Sequence, residues 1–453
     1  MLKNIICLSF AFALLCPLSA LAEDDGLNIV AVGEATRKKD NILVDAPYLG
    51  KKLSRSQKNM GKELAELFRN DFSFYKKYFK VKSATPDDNA FSSPKKEALK
   101  KKDVRYLLRL QVSPLEGDNI KVLFEAYDLV KDAILVEKNE AISREKLRER
   151  GHEIADEVYR RIRGEESIFT SHIYFVSDRD GHGDKTIKEL YRMDFDGRKP
   201  EQLTDHNSIV ISPGISHDQK KVLYSLVEKR AGKERNINLY VMDLETEKSR
   251  LLSSRDGINS GAVFTQDDQK ILLTLSHTGP ANIYEMDLKT RKIRQLTTSY
   301  SPDVDPSINK GGDLMTFLSG RSGAAMIYTM DPRQRENNQD NKPRRISFVG
   351  KYNATPRFSP DGKEIAFSSW MDNSFDIFRI NADRTGLTRL TKDFGSNEDP
   401  TYSNDGEFIA FSNQRVISQT EAVHNIYIMT REGEILGQVT HDYGNCITPR
   451  WSK

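Results

Sequence analysis

The sequence predicts an α+β multidomain protein, in which a small N-terminal α/β domain is followed by a six-bladed β-propeller that the C-terminal strand closes. Two observations lead to this fold class. From about residue 168 onward, three sequence patterns each recur six times at intervals of 44 to 50 residues, which is the length of one four-stranded propeller blade. Residues 23–165 lack this period and alternate helical with strand-like patterns.

Length and composition set the limits within which this fold must fit. The chain has 453 residues, of which 38% are hydrophobic and 30% charged, so it can bury a sizeable core distributed over two or three domains. Its net charge of +3 is too small for a general electrostatic nucleic-acid binder of this length. Three cysteines, with no Cys-x-x-Cys pair, exclude a disulfide framework and a structural zinc ribbon.

Residues 1–22 have the pattern of a secretory signal peptide. A basic start at Lys3 precedes the apolar run 5–15 and the small-x-small site Ala20–Ala22. An uncleaved anchor and a lipoprotein acylated at Cys16 are the alternatives, but the residues before Cys16 are not the small ones expected there. We therefore predict that the protein is exported and that the mature chain begins at Glu23.

The segment 23–165 reads as a small α/β domain with an extended N-terminal stretch. Helical spacing of apolar residues occurs twice, at Met60, Leu64, Leu67 and Phe68 and at Leu147, Ile154, Val158 and Ile162. Ser143 is the predicted N-cap of the second helix. Three strand-like runs lie between the helices, at Val104–Val112, Ile120–Leu129 and Ile134–Ala141.

The repeat has three independent patterns. An apolar residue followed by a hydroxyl residue recurs at Leu203-Thr204, Leu252-Ser253, Leu296-Thr297, Ile346-Ser347, Leu390-Thr391 and Val439-Thr440. An aromatic residue precedes each pair, at Tyr191, Tyr240, Tyr284, Tyr328, Phe378 and Tyr427. The third pattern is a turn related to Ser-Pro-Asp-Gly, with its first residue at Ser216, Thr265, Asn309, Ser359, Ser403 and Ser452.

The position of the third pattern predicts how the ring closes. Its copy for the first blade does not precede that blade but lies at the C-terminus, at Ser452. The last strand should therefore complete the first blade, which leaves no unpaired sheet edge at the joint. We predict the domains 1–22 (signal peptide), 23–165 (α/β domain) and 166–453 (propeller).

At the junction between the two domains the sequence closely resembles the TolB family. The residues that carry the resemblance are 147–159, Gly164, 168–170 and 173–176, and the order of signal peptide, α/β domain and propeller matches over the full length. The resemblance implies a non-enzymatic periplasmic protein of the Tol–Pal system, without cofactor or metal. Such proteins maintain outer-membrane integrity and support outer-membrane invagination during cell division.

The resemblance also implies partners and binding sites. Pal, a lipoprotein, and TolA are the expected partners, other outer-membrane proteins are further candidates, and no nucleic acid is expected. The candidate Pal-binding rim at the channel mouth comprises Ser212, Asn259, Ser260, Gly261, Val304, Asp305, Thr355, Asn397, Asp399 and Thr448. The candidate TolA-binding segment comprises Leu27, Asn28, Ile29, Val30, Ala31 and Val32, for which an ordinary first strand is the alternative. Ile258 stands where some relatives have histidine, so individual contacts can differ here.

Several motifs resemble catalytic or metal-binding motifs, but each lacks a residue, a spacing or a structural context that the chemistry requires. His152-Glu153 lacks the second histidine of a zinc-protease helix and is interpreted as a structural element of the domain junction. The stretch 178–184 imitates a calcium loop but joins two predicted strands. A hydrolase would need a Gly-x-Ser-x-Gly elbow, and Gly320–Gly323 has the wrong spacing. Cys446 has no neighbouring histidine to act as its base.

One alternative function remains from the sequence, a secreted propeller that binds a small ligand or a cation in its channel. The acidic residues predicted near the rim favour a cation over a phosphate. These residues are Asp303, Asp305, Glu398 and Asp399.

Overall fold

The computed structural model describes residues 38–84, 91, 96–181, 186–229, 235–337, 339–418 and 421–452. Within this part, the residues from Asp40 onward form one compact unit. No described helix is both long and apolar enough to cross a membrane. The predicted signal peptide and the candidate TolA-binding segment 27–32 lie outside the described residues.

The N-terminal α/β part is a mixed sheet with two long helices. Strand β1 pairs in parallel with β3 and β4, while β4, β5 and β6 are antiparallel, so the order is β3-β1-β4-β5-β6 with the short β2 on β4. The elements are β1 (Asp40–Asp45), β2 (Tyr48–Leu49), α1 (Arg55–Phe74), β3 (Phe79–Ala84), α2 (Lys96–Lys101), β4 (Tyr106–Pro114), β5 (Ile120–Asp128), β6 (Ala133–Ile142) and α3 (Leu147–Arg163).

The two long helices form where the apolar spacing predicts them, but the cap of α3 differs from the prediction. Helix α1 begins with a capping box, in which Ser54 and Gln57 each accept a hydrogen bond from the other's backbone N–H. Helix α3 begins at Leu147, so its N-cap is Lys146 and not Ser143. The Ser143 hydroxyl instead accepts from the N–H of Lys146 at 3.3 Å, in the turn before the helix.

The propeller consists of six four-stranded antiparallel sheets. Blade 1 combines the C-terminal strand β30 (Cys446–Trp451) with β7 (His172–Ser177), β8 (Glu189–Asp194) and β9 (Glu201–Gln202). The strands of the other blades run outward in chain order. Blade 2 is β10 (Ile209–Ile215), β11 (Lys221–Lys229), β12 (Arg235–Asp243) and β13 (Ser249–Ser253); blade 3 is β14 (Asn259–Phe264), β15 (Lys270–Leu275), β16 (Asn282–Asp287) and β17 (Ile293–Gln295); blade 4 is β18 (Asp303–Ile308), β19 (Met315–Ser319), β20 (Met326–Met330) and β21 (Arg344–Arg345); blade 5 is β22 (Tyr352–Phe358), β23 (Glu364–Met371), β24 (Ser374–Asn381) and β25 (Thr388–Arg389); blade 6 is β26 (Ser396–Tyr402), β27 (Phe408–Val416), β28 (Ala422–Thr430) and β29 (Ile435–Gln438).

The prediction that the C-terminal strand closes the ring is confirmed. Strand β30 pairs antiparallel with β7, and each innermost strand contacts the innermost strand of the next blade, including β30 with β10. Ser452 accepts a hydrogen bond from the N–H of His172 at 2.8 Å. In the other five blades the residue at this position accepts the same kind of bond within its own turn, at 2.9–3.2 Å. Ser452 therefore accepts from β7, across the closure of the ring, the hydrogen bond that its counterparts accept within a single turn.

The other two patterns also have physical explanations. In five blades the recurring hydroxyl accepts a hydrogen bond from a backbone N–H of the third strand, at 2.8–3.0 Å. Ser253 in blade 2 is the exception, and its hydroxyl donates to Asn259 instead. In five blades the recurring aromatic ring stacks on an aromatic ring of the second strand, with centroids 5.6–6.2 Å apart. In blade 3, Tyr284 faces Leu273.

The α/β part packs against blades 1 and 6 of the propeller. The Tyr75 hydroxyl, just after α1, donates to Asp405 at 2.6 Å and accepts from the N–H of Ile168 at 2.9 Å. Phe74 packs edge-on against Phe195 of blade 1 and Phe408 of blade 6. Because Asp405 lies in the turn between β26 and β27, this side of the propeller, here called the domain face, carries the turns that follow the innermost strands. The opposite side is called the rim face.

His152 has the predicted structural role at this junction. Its Nδ1 lies 2.8 Å from Asp71 of α1 and its Nε2 lies 3.1 Å from the guanidinium of Arg148, while its ring packs against Phe195. A guanidinium can only donate, so Nε2 is the acceptor and Nδ1–H donates to Asp71. Burial raises the pKa of Asp71 to about 6, although the interaction with His152 opposes the shift.

Replacing Asp71 by asparagine should therefore change the pH dependence of stability. The folded-state pKa of Asp71 lies above that of an unfolded carboxyl, about 3.9, so the native chain binds the extra proton and loses stability as pH rises from about 4 to about 6. Relative to the parent, Asp71→Asn should gain roughly 2–3 kcal/mol between pH 4 and pH 7. Urea unfolding at four pH values measures this difference. Asp118→Asn, at an exposed carboxyl, is the control, and parallel curves for Asp71→Asn and the parent would contradict the prediction.

Candidate functional site at the mouth of the propeller channel

Six predicted rim residues lie at the same structural position in the six blades. Each lies at a β-bulge in the middle of an innermost strand. The sequence had predicted these residues in the loops that precede the strands. Each also has a positive φ, between 48° and 60°. These residues are Ser212, Gly261, Asp305, Thr355, Asp399 and Thr448.

The bulges carry backbone strain that glycine alone avoids. A non-glycine residue in the left-handed region costs about 1–2 kcal/mol, and five of the six positions are not glycine. A proline follows the bulge residue in every blade except blade 3, where Ala262 stands. Proline fits there because the bulge interrupts the hydrogen-bonded ladder between Ile447 and Arg450 and at the corresponding places in the other blades.

Thr448 tests this account of the strain. Its φ is 50°, and its buried hydroxyl has no hydrogen-bond partner among the described residues. Thr448→Gly should therefore raise the free energy of unfolding by about 1 kcal/mol, because relief of strain and of the unpaired hydroxyl outweighs the added chain entropy. The reverse change in blade 3, Gly261→Thr, should lower it by a similar amount. Thermal unfolding measures both, and two changes of the same sign would contradict the prediction.

Opposite charges meet where these strands line the channel. Arg357 of blade 5 donates to Asp305 of blade 4 at 2.7 Å. Burial raises the pKa of Asp399, and the positive charge of Arg450 opposes that shift. Burial also raises the pKa of Glu398 to about 7, and the neighbouring Asp399 adds to the rise. Arg357 and Arg450 therefore offset Asp305 and Asp399, and Arg321 pairs with Asp303 at 2.8 Å. This weakens the argument for a cation in the channel.

The predicted rim residues differ in how a partner could reach them. Asn259 and Asn397 are fully buried. The amide of Asn259 binds backbone carbonyls of Ile237 and Arg255, and Asn397 binds Asp376 and Asn413. These two asparagines hold the loops that enter the innermost strands, and their side chains offer no contact surface. The other eight predicted rim residues are partly exposed.

Ser260 and Val304 are of special interest because they lie at the rim-face ends of β14 and β18, before the bulges. Both are half-buried. Each directly precedes a bulge residue, and Val304 also packs against the hydrophobic cluster between blades 4 and 5.

Exposed apolar side chains on the rim face were not predicted from the sequence. Among the described residues, ten large hydrophobic side chains are exposed, and five of them lie in rim-face loops or strand ends of blades 4–6. Tyr352 also packs against Phe375, which packs against Trp370. Runs such as Val416-Ile417 were readable in the sequence, but only the fold shows that they share one face. The five residues are Tyr300, Phe348, Tyr352, Val416 and Ile417.

Cys446 and the possible metal ligands are chemical groups that the sequence suggested. Cys446 is completely buried, and burial raises the pKa of its thiol to about 12, so it is not a nucleophile near neutral pH. In the described part of the chain, no group of three or more His, Cys, Asp or Glu residues is arranged to hold a metal ion. Residues 182–185 of the calcium-loop imitation lie outside the described residues.

Comparisons with known proteins identify the family. The model of the TolB beta propeller domain matches residues 159–452. The chain is 26% identical over 229 residues to the Tol-Pal system protein TolB of Rickettsia bellii, covering 50% of each chain, and 38% identical over 109 residues to that of Syntrophotalea carbinolica, covering 24% of each. The matched region thus spans half or less of these curated relatives. The crystal structure of TolB from Acinetobacter baumannii superposes with a TM-score of 0.74 at 21% identity, over 92% of this chain and 97% of that one. The chain belongs to the family of the TolB beta propeller domain.

Proposed function

We propose that the chain is a non-enzymatic periplasmic component of the Tol–Pal system. In this proposal the rim face binds the soluble domain of Pal, and the segment 27–32 binds TolA. The two contacts together support outer-membrane integrity and outer-membrane invagination during division. The family match and the Tol–Pal names of its relatives support the system.

One observation carries the assignment of the rim face. Exposed large apolar side chains of blades 4–6 lie on the same face as the partly exposed predicted rim residues. Contiguous exposed apolar surface typically marks a protein-binding site. Because these residues belong to three neighbouring blades, a partner that spans the face can contact a composite surface that no single blade provides.

A matched pair of substitutions in one strand tests the rim face. Val304 and Ile308 are both half-buried aliphatic residues of β18, at its rim-face and domain-face ends respectively. Val304→Arg should weaken binding of the organism's own Pal domain at least tenfold, about 1.4 kcal/mol or more. Ile308→Arg should leave the affinity unchanged within about threefold. Titration calorimetry of the protein purified from the periplasm measures both.

Three results would contradict this proposal. The first is the absence of saturable binding between Pal and the folded parent protein. The second is equal weakening by both substitutions, and the third is unchanged binding by Val304→Arg. Asp305 and Asp399 are unsuitable for the test, because their reversal would leave Arg357 and Arg450 without their opposite charges.

A further inference from the structure

A cavity of about 390 Å³ opens at the domain-face mouth of the channel. Its wall includes one residue from each innermost strand, two positions after the bulge. These six residues are Gly214, Val263, Ser307, Arg357, Thr401 and Arg450. No residue of the α/β part is among the described residues that line the cavity.

The charge of this cavity is entirely of one sign among the described residues that line it. Arg357, Arg450 and Lys310 are its charged side chains, His217 also lines it, and no aspartate or glutamate does. His217 is already engaged by Asp268 at 3.1 Å. The two arginines and Lys310 are therefore the groups that can meet a ligand.

The two arginines come from blades 5 and 1 and meet beside blade 6. Arg357 is buried, with only 7% of its surface exposed. Its Nη1 and Nη2 bind the carbonyl of Pro356 and the carboxylate of Asp305, while its buried Nε has no hydrogen-bond partner among the described residues. Arg450 donates to the carbonyl of Pro449, and burial together with the charge of Arg357 lowers its pKa to about 10.

The carboxylates that balance these arginines belong to the bulge positions, and neither of them lines the cavity. Asp305 and Asp399 influence Arg450 electrostatically, yet both are absent from the described lining. The channel is therefore polarised, with its acidic groups toward the rim face and its guanidinium groups toward the domain face. An anion in the cavity would meet positive charge without a competing carboxylate in contact with it.

We propose that this cavity binds a small anion that bears carboxylate or phosphate groups, between Arg357 and Arg450 with Lys310 at the edge. Guanidinium groups bind both oxyanions through strong, charge-assisted hydrogen bonds. The volume lies within the range of small-molecule sites. This site is separate from the proposed Pal-binding face, so neither proposal depends on the other.

Titration calorimetry of the protein purified from the periplasm tests the site with two probes, malonate and inorganic phosphate, at matched ionic strength in chloride. We expect saturable binding of one anion per chain for at least one probe, and the stronger probe identifies the preferred group. Lys310→Glu should weaken that binding at least tenfold. Lys363→Glu makes the same charge change at an exposed lysine in the neighbouring turn, outside the cavity, and should leave it unchanged within twofold.

Arg450→Gln provides a second variant that removes a cavity group without adding a negative charge. It should abolish the heat of binding while thermal unfolding confirms that the protein is folded. If Arg450→Gln does not fold, Lys310→Glu alone decides. Equal affinities of Lys310→Glu and Lys363→Glu, or no saturable heat from either probe with the parent, would overturn the proposal.

Discussion

Replacing Trp451 by alanine should lower the free energy of unfolding by about 3–5 kcal/mol. Trp451 is buried, with only 8% of its surface exposed. It belongs to the hydrophobic cluster that, among the described residues, joins the α/β part with blades 1 and 6. Its indole N–H donates to the hydroxyl of Ser171 at 2.8 Å, and its ring stacks on Phe408 of blade 6. The truncation would thus leave a cavity where β30 joins blades 6 and 1, and the Ser171 hydroxyl would keep only the bond it donates to the carbonyl of Ile168 at 2.6 Å.

Trp370, the other of the two tryptophans in the chain, is the matched control. It lies in β23 of blade 5, is only partly buried, and packs on the edge of Phe375. Trp370→Ala should cost at most about 1–2 kcal/mol. Chemical denaturation followed by circular dichroism measures both variants, since neither then depends on tryptophan emission. Similar losses for the two variants would show that the closure has no special weight in stability.

Tyr75→Phe should cost about 2–4 kcal/mol, although only one oxygen atom is removed. The hydroxyl of Tyr75 joins α1, the connecting segment and blade 6, because it binds both Asp405 and Ile168. Its removal leaves a buried backbone N–H without an acceptor and a carboxylate with one donor fewer. The ring itself stays packed against Tyr159, with centroids 4.4 Å apart.

The pH dependence of this loss distinguishes the carboxylate from simple packing. Burial raises the pKa of Asp405, and the hydrogen bonds from Ser403 and Tyr75 oppose the rise. Without the Tyr75 hydroxyl the folded-state pKa should rise further above the unfolded value. Because a carboxyl with a raised pKa destabilises the folded state increasingly as pH rises, the gap between Tyr75→Phe and the parent should widen from acidic to neutral pH.

Tyr78→Phe is the control for Tyr75→Phe. The hydroxyl of Tyr78 also donates to a carboxylate, Glu407, at 2.8 Å, but it lies at the half-buried edge of the same interface. Its removal should cost about 0.5–1 kcal/mol. Urea unfolding at pH 4.5 and pH 7 compares the two, and a Tyr75→Phe loss that does not vary with pH would contradict the role assigned to Asp405.

The blades could be predicted because most of the repeated residues bind backbone groups of their own blade, and the closure because the first blade's copy of the turn pattern lies at the C-terminus. The hydroxyl of Thr204 accepts from an N–H 14 positions away and that of Ser216 from one five positions away, so their spacing in the sequence carries the fold. The repeat also showed that six residues, each four positions before the turn, are equivalent, but it predicted them in loops and not in bulges. What the repeat could not show is the left-handed conformation of Thr355 and Thr448, because local preference opposes it and the converging strands impose it.

The candidate site was less predictable, because it depends on contacts between blades. Asp305 and Arg357 are 52 residues apart, and only the aspartate was singled out from the sequence, as one of the acidic residues near the rim. The acidic residues alone favoured a cation in the channel. The arginines two positions after the bulges in blades 5 and 1 change this interpretation, since they offset the acidic groups and line the other mouth.

The location of β30 also determines which blade is completed last during synthesis of the chain. A chain emerging from its N-terminus presents β7 some 270 residues before its partner strand exists, so blade 1 remains open while blades 2 to 6 can already form. Any chain cut short by a stalled ribosome or a protease lacks β30 and keeps β7 with an unpaired edge, which invites aggregation and degradation. Only a chain that contains the six residues of β30 can cover that edge.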